Sequence, residues 1–128
     1  MRGTLRQLVG TIARQLAGVA DVTEGRLVVG RRGTPHEIGI AIESHTGEHP
    51  VRIAVDYHAE SRTTGVDWID ALRAKYRDVD VDHVVAVARE RFTPAARVHA
   101  AAHQIRTLSL ADACAEDWAR VLAGVAGR

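Results

Sequence analysis

The sequence predicts a mixed α/β fold whose elements follow the order α-β-β-β-α-β-α-β, with a further helix at the C-terminus. Two neighbouring segments, 36–43 and 51–58, alternate between apolar and polar residues, which is the period of strands that bury one face. Residues 83–88 form a continuous apolar run, which is typical of a strand buried on both faces. A hairpin followed by helix-linked strands indicates a mixed central sheet flanked by helices.

The N-terminal elements are predicted from a cap, apolar spacing and turn residues. Thr4 is a suitable N-cap for a helix with one apolar stripe. A short strand is expected at 27–29, after Gly25, and a basic turn at 31–35 leads into the hairpin. The stripe of the first helix comprises Leu5, Leu8, Val9, Ile12, Leu16 and Val19.

The second half of the chain is predicted to alternate helices with strands. Residues 67–76 have helical apolar spacing, and 78–82 form a polar link to the buried strand. Thr93 is the expected N-cap of a helix that has Pro94 in its first turn and ends near residue 103. A strand at 105–108 and one final helix, which carries Ala113, Trp118, Val121 and Leu122, complete the order.

Length and composition are those of a single globular domain. The chain has 128 residues, 46% hydrophobic and 26% charged, and its formal net charge of +1 indicates no strongly charged partner. We expect a core domain at 1–110 and a C-terminal helix at 111–128 that packs on it or leads into a further segment. No apolar run approaches the ~20 residues of a membrane span. Cys114 is the only cysteine, so we expect a reducing, cytoplasmic setting and an unreactive thiol.

The polar face of the hairpin carries the candidate chemistry. We expect the strands to pair so that residue numbers sum to 95, which places Gly39 opposite Asp56 and Glu37 opposite His58. In this register Glu37, Asp56 and His58 form one compact group of oxygen and nitrogen ligands. The carboxylates Asp56 and Glu37 are the candidate metal ligands, and His58 is a candidate base or ligand.

The same register makes two further predictions. Glu43 lies opposite Arg52, which predicts a surface ion pair worth under ~1 kcal/mol. On the other face of the first strand, Ile38, Ile40 and Ile42 are expected to be buried together.

Over roughly residues 4–110 the chain resembles the PD-(D/E)xK nuclease superfamily and, within it, the Mrr-like restriction endonucleases. Segment 36–40 lies where such proteins carry a segment that ends in a metal-binding Asp. Segment 55–58, Val-Asp-Tyr-His, lies where they carry hydrophobic-(Asp/Glu)-x-Lys. The loop and helix that follow, Ser61-Arg62 with Val66-Asp67-Trp68-Ile69, and the helix start Phe92-Thr93-Pro94-Ala95-Ala96 also resemble family segments.

The family's active-site pattern is degenerate in this chain. Its metal-binding Asp position is occupied by Gly39 and its lysine position by His58, whereas Asp56 matches. The resemblance implies a DNA-binding domain that cleaves weakly or not at all, of the kind found in DNA restriction and phage defence. If the domain is active, the implied cofactor is Mg²⁺ or Mn²⁺ held by Asp56 and Glu37.

DNA is the partner that the resemblance implies. The arginines that we expect to line one groove and contact phosphates flank the hairpin and precede the Thr93 helix. They are Arg31, Arg32, Arg62, Arg89 and Arg91.

Several structural alternatives remain open at this stage. Asp56 and His58 are compatible with an ion pair on an exposed strand, and Glu37 with an ion pair to Arg31 or Arg32. The second function class is a protein-interaction module that forms a homodimer or binds another protein through the sheet edge or Trp118.

The remaining histidines are expected to be structural or solvated. His36 is expected on the apolar face, away from Asp56, and His45 and His49 lie in the turn of the hairpin. His99 and His103 have the i, i+4 spacing of metal ligands, but no third ligand is evident in the sequence.

Overall fold

The computed structural model describes residues 4–44 and 49–127. His45 therefore lies outside the described residues. The helices are α1 (Leu5–Gln15), α2 (Val66–Asp78), α3 (Pro94–Ala102), α4 (Leu110–Ala115) and α5 (Trp118–Ala126). The strands are β1 (Asp21–Val29), β2 (Pro35–Ser44), β3 (Val51–His58), β4 (Thr63–Thr64), β5 (His83–Ala88), β6 (Arg91–Phe92) and β7 (Ile105–Ser109).

The central sheet has the order β1-β2-β3-β5-β7 and confirms the predicted mixed α/β core. The first three strands are antiparallel, whereas β3, β5 and β7 are parallel. The predicted hairpin register is confirmed from Ile40–Val55 to Ser44–Val51, and it includes the Glu43–Arg52 pair. Arg52 bonds Glu43 at 2.9 Å, and Glu43 also contacts Arg26.

Two apolar layers cover the sheet. Helices α1, α4 and α5 pack on one face around Leu8, Ile12, Ile40 and Trp118, and helices α2 and α3 cover the other face. Trp118 is almost completely buried, so the expectation that it offers a partner surface is wrong. Cys114 packs at the edge of the first layer, and burial raises the pKa of its thiol, as expected of an unreactive cysteine.

The β1–β2 pairing is interrupted where Gly25, with a φ of 68°, lies opposite Gly39, and we call this interruption the bend. The two strands pair on both sides of this point, at Glu24–Ile40 and at Arg26–Ile38. Beyond the bend, Ile38 packs under α2 with Ala54 and Val79 instead of joining Ile40 on the other face. The prediction that the three isoleucines share one face is therefore wrong for Ile38, because the bend exchanges the faces of the ribbon. We call the segment beyond the bend, residues 26–38, the arm.

Four further features of the elements differ from the predictions. The first strand begins at Asp21 and not at residue 27. Charged residues hide the apolar pattern of this edge strand in the sequence. The final helix is two helices, because Glu116 has an extended backbone and Asp117 caps the second helix. Strands β4 and β6 form a small parallel pair that the sequence did not predict. Val19 lies beyond the first helix and is half exposed.

No helix in the described ranges is long and apolar enough to cross a membrane.

Candidate functional site

Asp56 lies on β3, is buried under α2 and accepts hydrogen bonds from three protein groups. The backbone N–H of Gly39 donates to its Oδ1 at 2.9 Å. The Lys75 ammonium lies 3.3 and 3.1 Å from the two carboxylate oxygens. The Tyr76 hydroxyl donates to Oδ2 at 2.5 Å. We call Asp56, Lys75 and Tyr76, with the Gly39 N–H, the Asp56 centre.

Lys75 is the functional residue that sequence reasoning missed. It is the only lysine of the chain, and it lies 19 positions after Asp56 on a different element, so no local motif joins the two. The adjacent Lys75 and Tyr76 both reach Asp56 from the last turn and a half of α2. A lone lysine among sixteen arginines was the available signal.

The negative charge of Asp56 is balanced within the Asp56 centre. Burial, followed by the Asp56 carboxylate, raises the pKa of Tyr76, so the phenol remains a proton donor. Lys75 supplies the counter-charge that a buried carboxylate needs, and it lies 5.2 Å from the Tyr76 ring centroid. A divalent ion at this carboxylate would have to displace Lys75 or Tyr76.

Gly39 has a steric reason to lack a side chain. A Cβ at this position would lie 2.9 Å from the Val55 carbonyl oxygen and 3.0 Å from Asp56 Oδ1. The close approach also lets the Gly39 N–H reach the carboxylate. An Asp at position 39 would therefore disturb β3 in this chain.

The structure does not bring Glu37 to Asp56. Beyond the bend, His36 and Ile38 face α2, so the intervening Glu37 faces away from it. The Glu37 side chain is exposed and its carboxylate lies over Gly25. The compact group expected from the register is thus divided between two sides of the ribbon, and within the described ranges Glu37 forms no ion pair to Arg31 or Arg32.

His58 lies on the same face as Asp56 but has its own partners. Its Nδ1 is 3.0 Å from Thr64 Oγ1, and its ring stacks on Trp68 with centroids 5.0 Å apart. No ion pair to Asp56 forms among the described residues, and α2 covers the face that this alternative treated as exposed. Its packing on Trp68 accounts for an aromatic ring at position 58.

The predicted arginines form two groups at opposite ends of α2. Arg62 precedes the helix. The Arg91 backbone N–H donates to the Arg62 carbonyl in the small β4–β6 sheet, so the two residues are neighbours. Arg89 follows β5 at the same edge, where β3 and β5 end. We call this group, Arg62, Arg89 and Arg91, the carboxyl-edge arginines. Arg62 lies 3.8 Å from Glu90 in an exposed pair.

Arg31 and Arg32 lie at the other end of α2. Arg31 donates to the Arg77 carbonyl and bonds Asp80, and the Arg32 N–H donates to Asp78. The 13 residues of α2 separate the two groups by about 20 Å at 1.5 Å per residue. The predicted arginines therefore lie in two groups at the two ends of α2, and whether they contact one ligand stays a prediction.

The histidines outside the Asp56 centre are partnered or exposed. His36 lies on the α2 side and contacts Asp78 at 2.7 Å, which corrects the expectation that it faces away from Asp56. His99 bonds Asp70 at 2.7 Å and packs against His103, and His49 is exposed. Within 4–44 and 49–127, no group of three or more His, Cys, Asp or Glu residues is arranged to hold a metal ion.

Comparisons with known proteins support the fold. No family model and no curated protein matches the chain. Among solved structures, the chain is similar to AF1548, a protein of unknown function, with 18% identity and a TM-score of 0.62 over 83% of this chain and 58% of that one. It also matches the MspJI restriction endonuclease in complex with a 27-mer oligonucleotide, with 17% identity and a TM-score of 0.49 over 87% of this chain and 26% of that one. The chain thus spans less than two thirds of either structure.

Proposed function

We propose that this chain is a nuclease-like domain that binds DNA and uses Asp56 as a structural charge rather than as a metal ligand. The observation that carries the proposal is the bonding of Asp56, whose carboxylate is shared by Lys75, Tyr76 and the Gly39 N–H. Weak cleavage with Mg²⁺ or Mn²⁺ on Asp56 and Glu37 requires a rearrangement of both residues.

The carboxyl-edge arginines support the DNA-binding part of the proposal. They follow the ends of parallel strands, where α2 and α3 present their N-termini and the positive ends of their dipoles. Guanidinium groups in this position are suited to phosphate oxygens. The exposed Arg62–Glu90 pair offers little resistance to such an exchange, because surface pairs contribute at most about 1 kcal/mol.

Salt-dependent binding tests the partner. We expect duplex DNA to bind at low salt, and Arg62→Ala and Arg91→Ala each to reduce the slope of log K against log salt by about 1. Arg120→Ala, on the opposite face of the sheet, is the matched control. Equal slopes in all four proteins, or no binding at any salt concentration, would contradict the proposal.

Cleavage is tested separately with supercoiled plasmid and Mg²⁺ or Mn²⁺. We expect the same background in the wild type and in Asp56→Asn. Metal-dependent nicking that is present in the wild type and lost in the variant would instead support a weak nuclease.

The second candidate function is a protein-interaction module, and a specific observation favours it. Edge strand β1 exposes Leu27 and Val29 by 66% and 68% on the outer side of the arm. We expect Leu27→Ser with Val29→Ser to abolish any concentration-dependent dimer seen by sedimentation. A dimer that persists in this variant would place the interface elsewhere.

A further inference from the structure

A cavity lies at the end of the sheet opposite to the carboxyl-edge arginines. Its volume is about 290 Å³, and it opens between the C-terminal ends of α2 and α3. Cationic or titratable side chains come to it from three directions: Arg73 and Arg77 from α2, His83 from the start of β5, and His103 from the end of α3.

The guanidinium groups of Arg73 and Arg77 do not cap the C-terminus of α2. The last carbonyls of α2 already accept from the Val79 N–H and from Arg31, through both its backbone and its side chain. In the described part of the chain, the Arg77 guanidinium has no hydrogen-bond or ion-pair partner, and Arg73 contacts Asp70 at 3.5 Å. The one acid of the lining, Asp82, accepts the Arg52 N–H.

The lining carries two guanidinium groups against one carboxylate, so its formal charge is positive. The pKa of His103 is lowered by local desolvation and then by the positive charges of Arg73 and His99, with a smaller contribution from Arg77, against an opposing effect of Asp70. An anion in the cavity would offset this repulsion, because Arg73, Arg77 and His103 all line it.

The rest of the lining is suited to the body of a small ligand. The wall behind the cations is apolar and comprises Tyr76, Val81, Val84 and Ile105. At the mouth, Gln104 has a φ of 57°, a left-handed conformation in which glycine is the usual residue after a helix. Gln104 thus places an amide side chain at a position where the end of a helix favours a residue without a side chain. The volume is near the lower limit of ligand pockets, about 300 Å³.

We propose that this cavity binds a phosphate monoester of mononucleotide size. The phosphate would lie between Arg73, Arg77 and His103, and the rest of the ester would lie against the apolar wall that contains Tyr76. This inference goes beyond the DNA-binding proposal, since it concerns the other end of α2 and different arginines. The same chemistry is available from a free nucleotide or from the terminal phosphate of a nucleic-acid strand.

The test is a titration of the full chain, followed by NMR of the imidazole protons and by calorimetry. The probes are inorganic phosphate, adenosine 5′-monophosphate and adenosine. We expect the monophosphate to shift the His103 resonances and to bind more tightly than phosphate, and adenosine not to bind. Arg77→Gln and Arg73→Gln should each weaken binding about tenfold, whereas Arg120→Gln should not.

Matched oligonucleotides with and without a 5′-phosphate distinguish the two sources. If only the phosphorylated strand competes with adenosine 5′-monophosphate, the ligand is the terminal phosphate of a strand. If neither strand competes, the ligand is a free nucleotide. The inference is overturned if adenosine binds as well as its monophosphate, if both arginine variants bind like the wild type, or if no probe shifts His103. Arg77 is exposed and uses only its backbone within the fold, so its variant should fold normally.

Discussion

At the scale of single residues, Asp56 shows how one carboxylate can have a structural role in place of the expected metal site. A buried carboxylate is tolerated when it is paired and fully hydrogen-bonded, and Lys75, Tyr76 and Gly39 meet that requirement. The identity of Asp56 was predictable from the pattern of the hairpin. Its partners were not, because Lys75 and Tyr76 reach it only after α2 packs across β3.

The first prediction concerns the Asp56–Lys75 pair. Lys75→Met should destabilise the fold by about 3 kcal/mol, because it leaves a buried carboxylate without a counter-charge. The double variant Asp56→Asn with Lys75→Met should recover a large part of that loss. Urea denaturation measures the three free energies of unfolding, and strictly additive losses would show that the two side chains are not coupled.

The second prediction concerns Gly39. Gly39→Ala should cost roughly 1–3 kcal/mol, because its Cβ would press on the Val55 carbonyl and on Asp56. Gly124→Ala is the matched control, since open space surrounds it on helix α5 and alanine favours the helix. Thermal unfolding should rank the control above the wild type and Gly39→Ala below it. A Gly39→Ala melting temperature equal to that of the wild type would refute the steric argument.

At the scale of elements, the arm is held against the end of α2 by Asp78. Its Oδ1 accepts the Arg32 N–H at 2.9 Å and its Oδ2 contacts His36 at 2.7 Å. Gly30 passes so close that a Cβ there would collide with the Asp78 carboxylate. The bend at Gly25 and Gly39 is what brings the arm to this anchor.

The anchor predicts an acid-sensitive stability. The Arg32 N–H, followed by His36, holds the pKa of Asp78 below its usual value, so the folded state favours the carboxylate. The stabilisation is complete above the unfolded pKa of about 4 and is lost as pH falls through the lower folded value. Asp78→Asn should therefore flatten the acid limb of unfolding free energy against pH. Parallel curves for the two proteins between pH 2 and 5 would contradict this role.

At the scale of the whole molecule, the C-terminal helices belong to the core. Trp118, Leu122 and Val125 pack with α1 and with the sheet residues of the first layer. Gln15 ties the two ends of the chain together by accepting the Trp118 N–H and donating to the Glu116 carbonyl. Helices α4 and α5 are thus integrated with the layer that covers one face of the sheet.

This integration predicts that residues 1–110 do not fold alone. A chain that ends at residue 110 should lose cooperative thermal unfolding, because the faces of α1 and β3 would be uncovered. A chain that ends at residue 126 is the control and should melt like the wild type. A cooperative transition near the wild-type temperature in the shorter chain would show that 1–110 is an independent domain.

The sequence by itself determined the order of the core elements, the β2–β3 register and the starts of α1, α2 and α3. These features follow from local physics: the period of apolar residues, and the Thr4 and Thr93 caps, which both accept the expected backbone N–H groups. The bounds of β3 and β5 agree with the predicted segments because their apolar patterns are unambiguous.

Only the tertiary structure decided what the polar residues do. The bend at Gly25 and Gly39 moves Glu37 away from Asp56, and the packing of α2 supplies Lys75 and Tyr76 in its place. The edge strand at 21–26 and the break at Glu116 were equally hidden, because sheet pairing and long-range contacts determine them. Side-chain chemistry depends on distances of a few ångströms, and residues far apart in sequence set those distances.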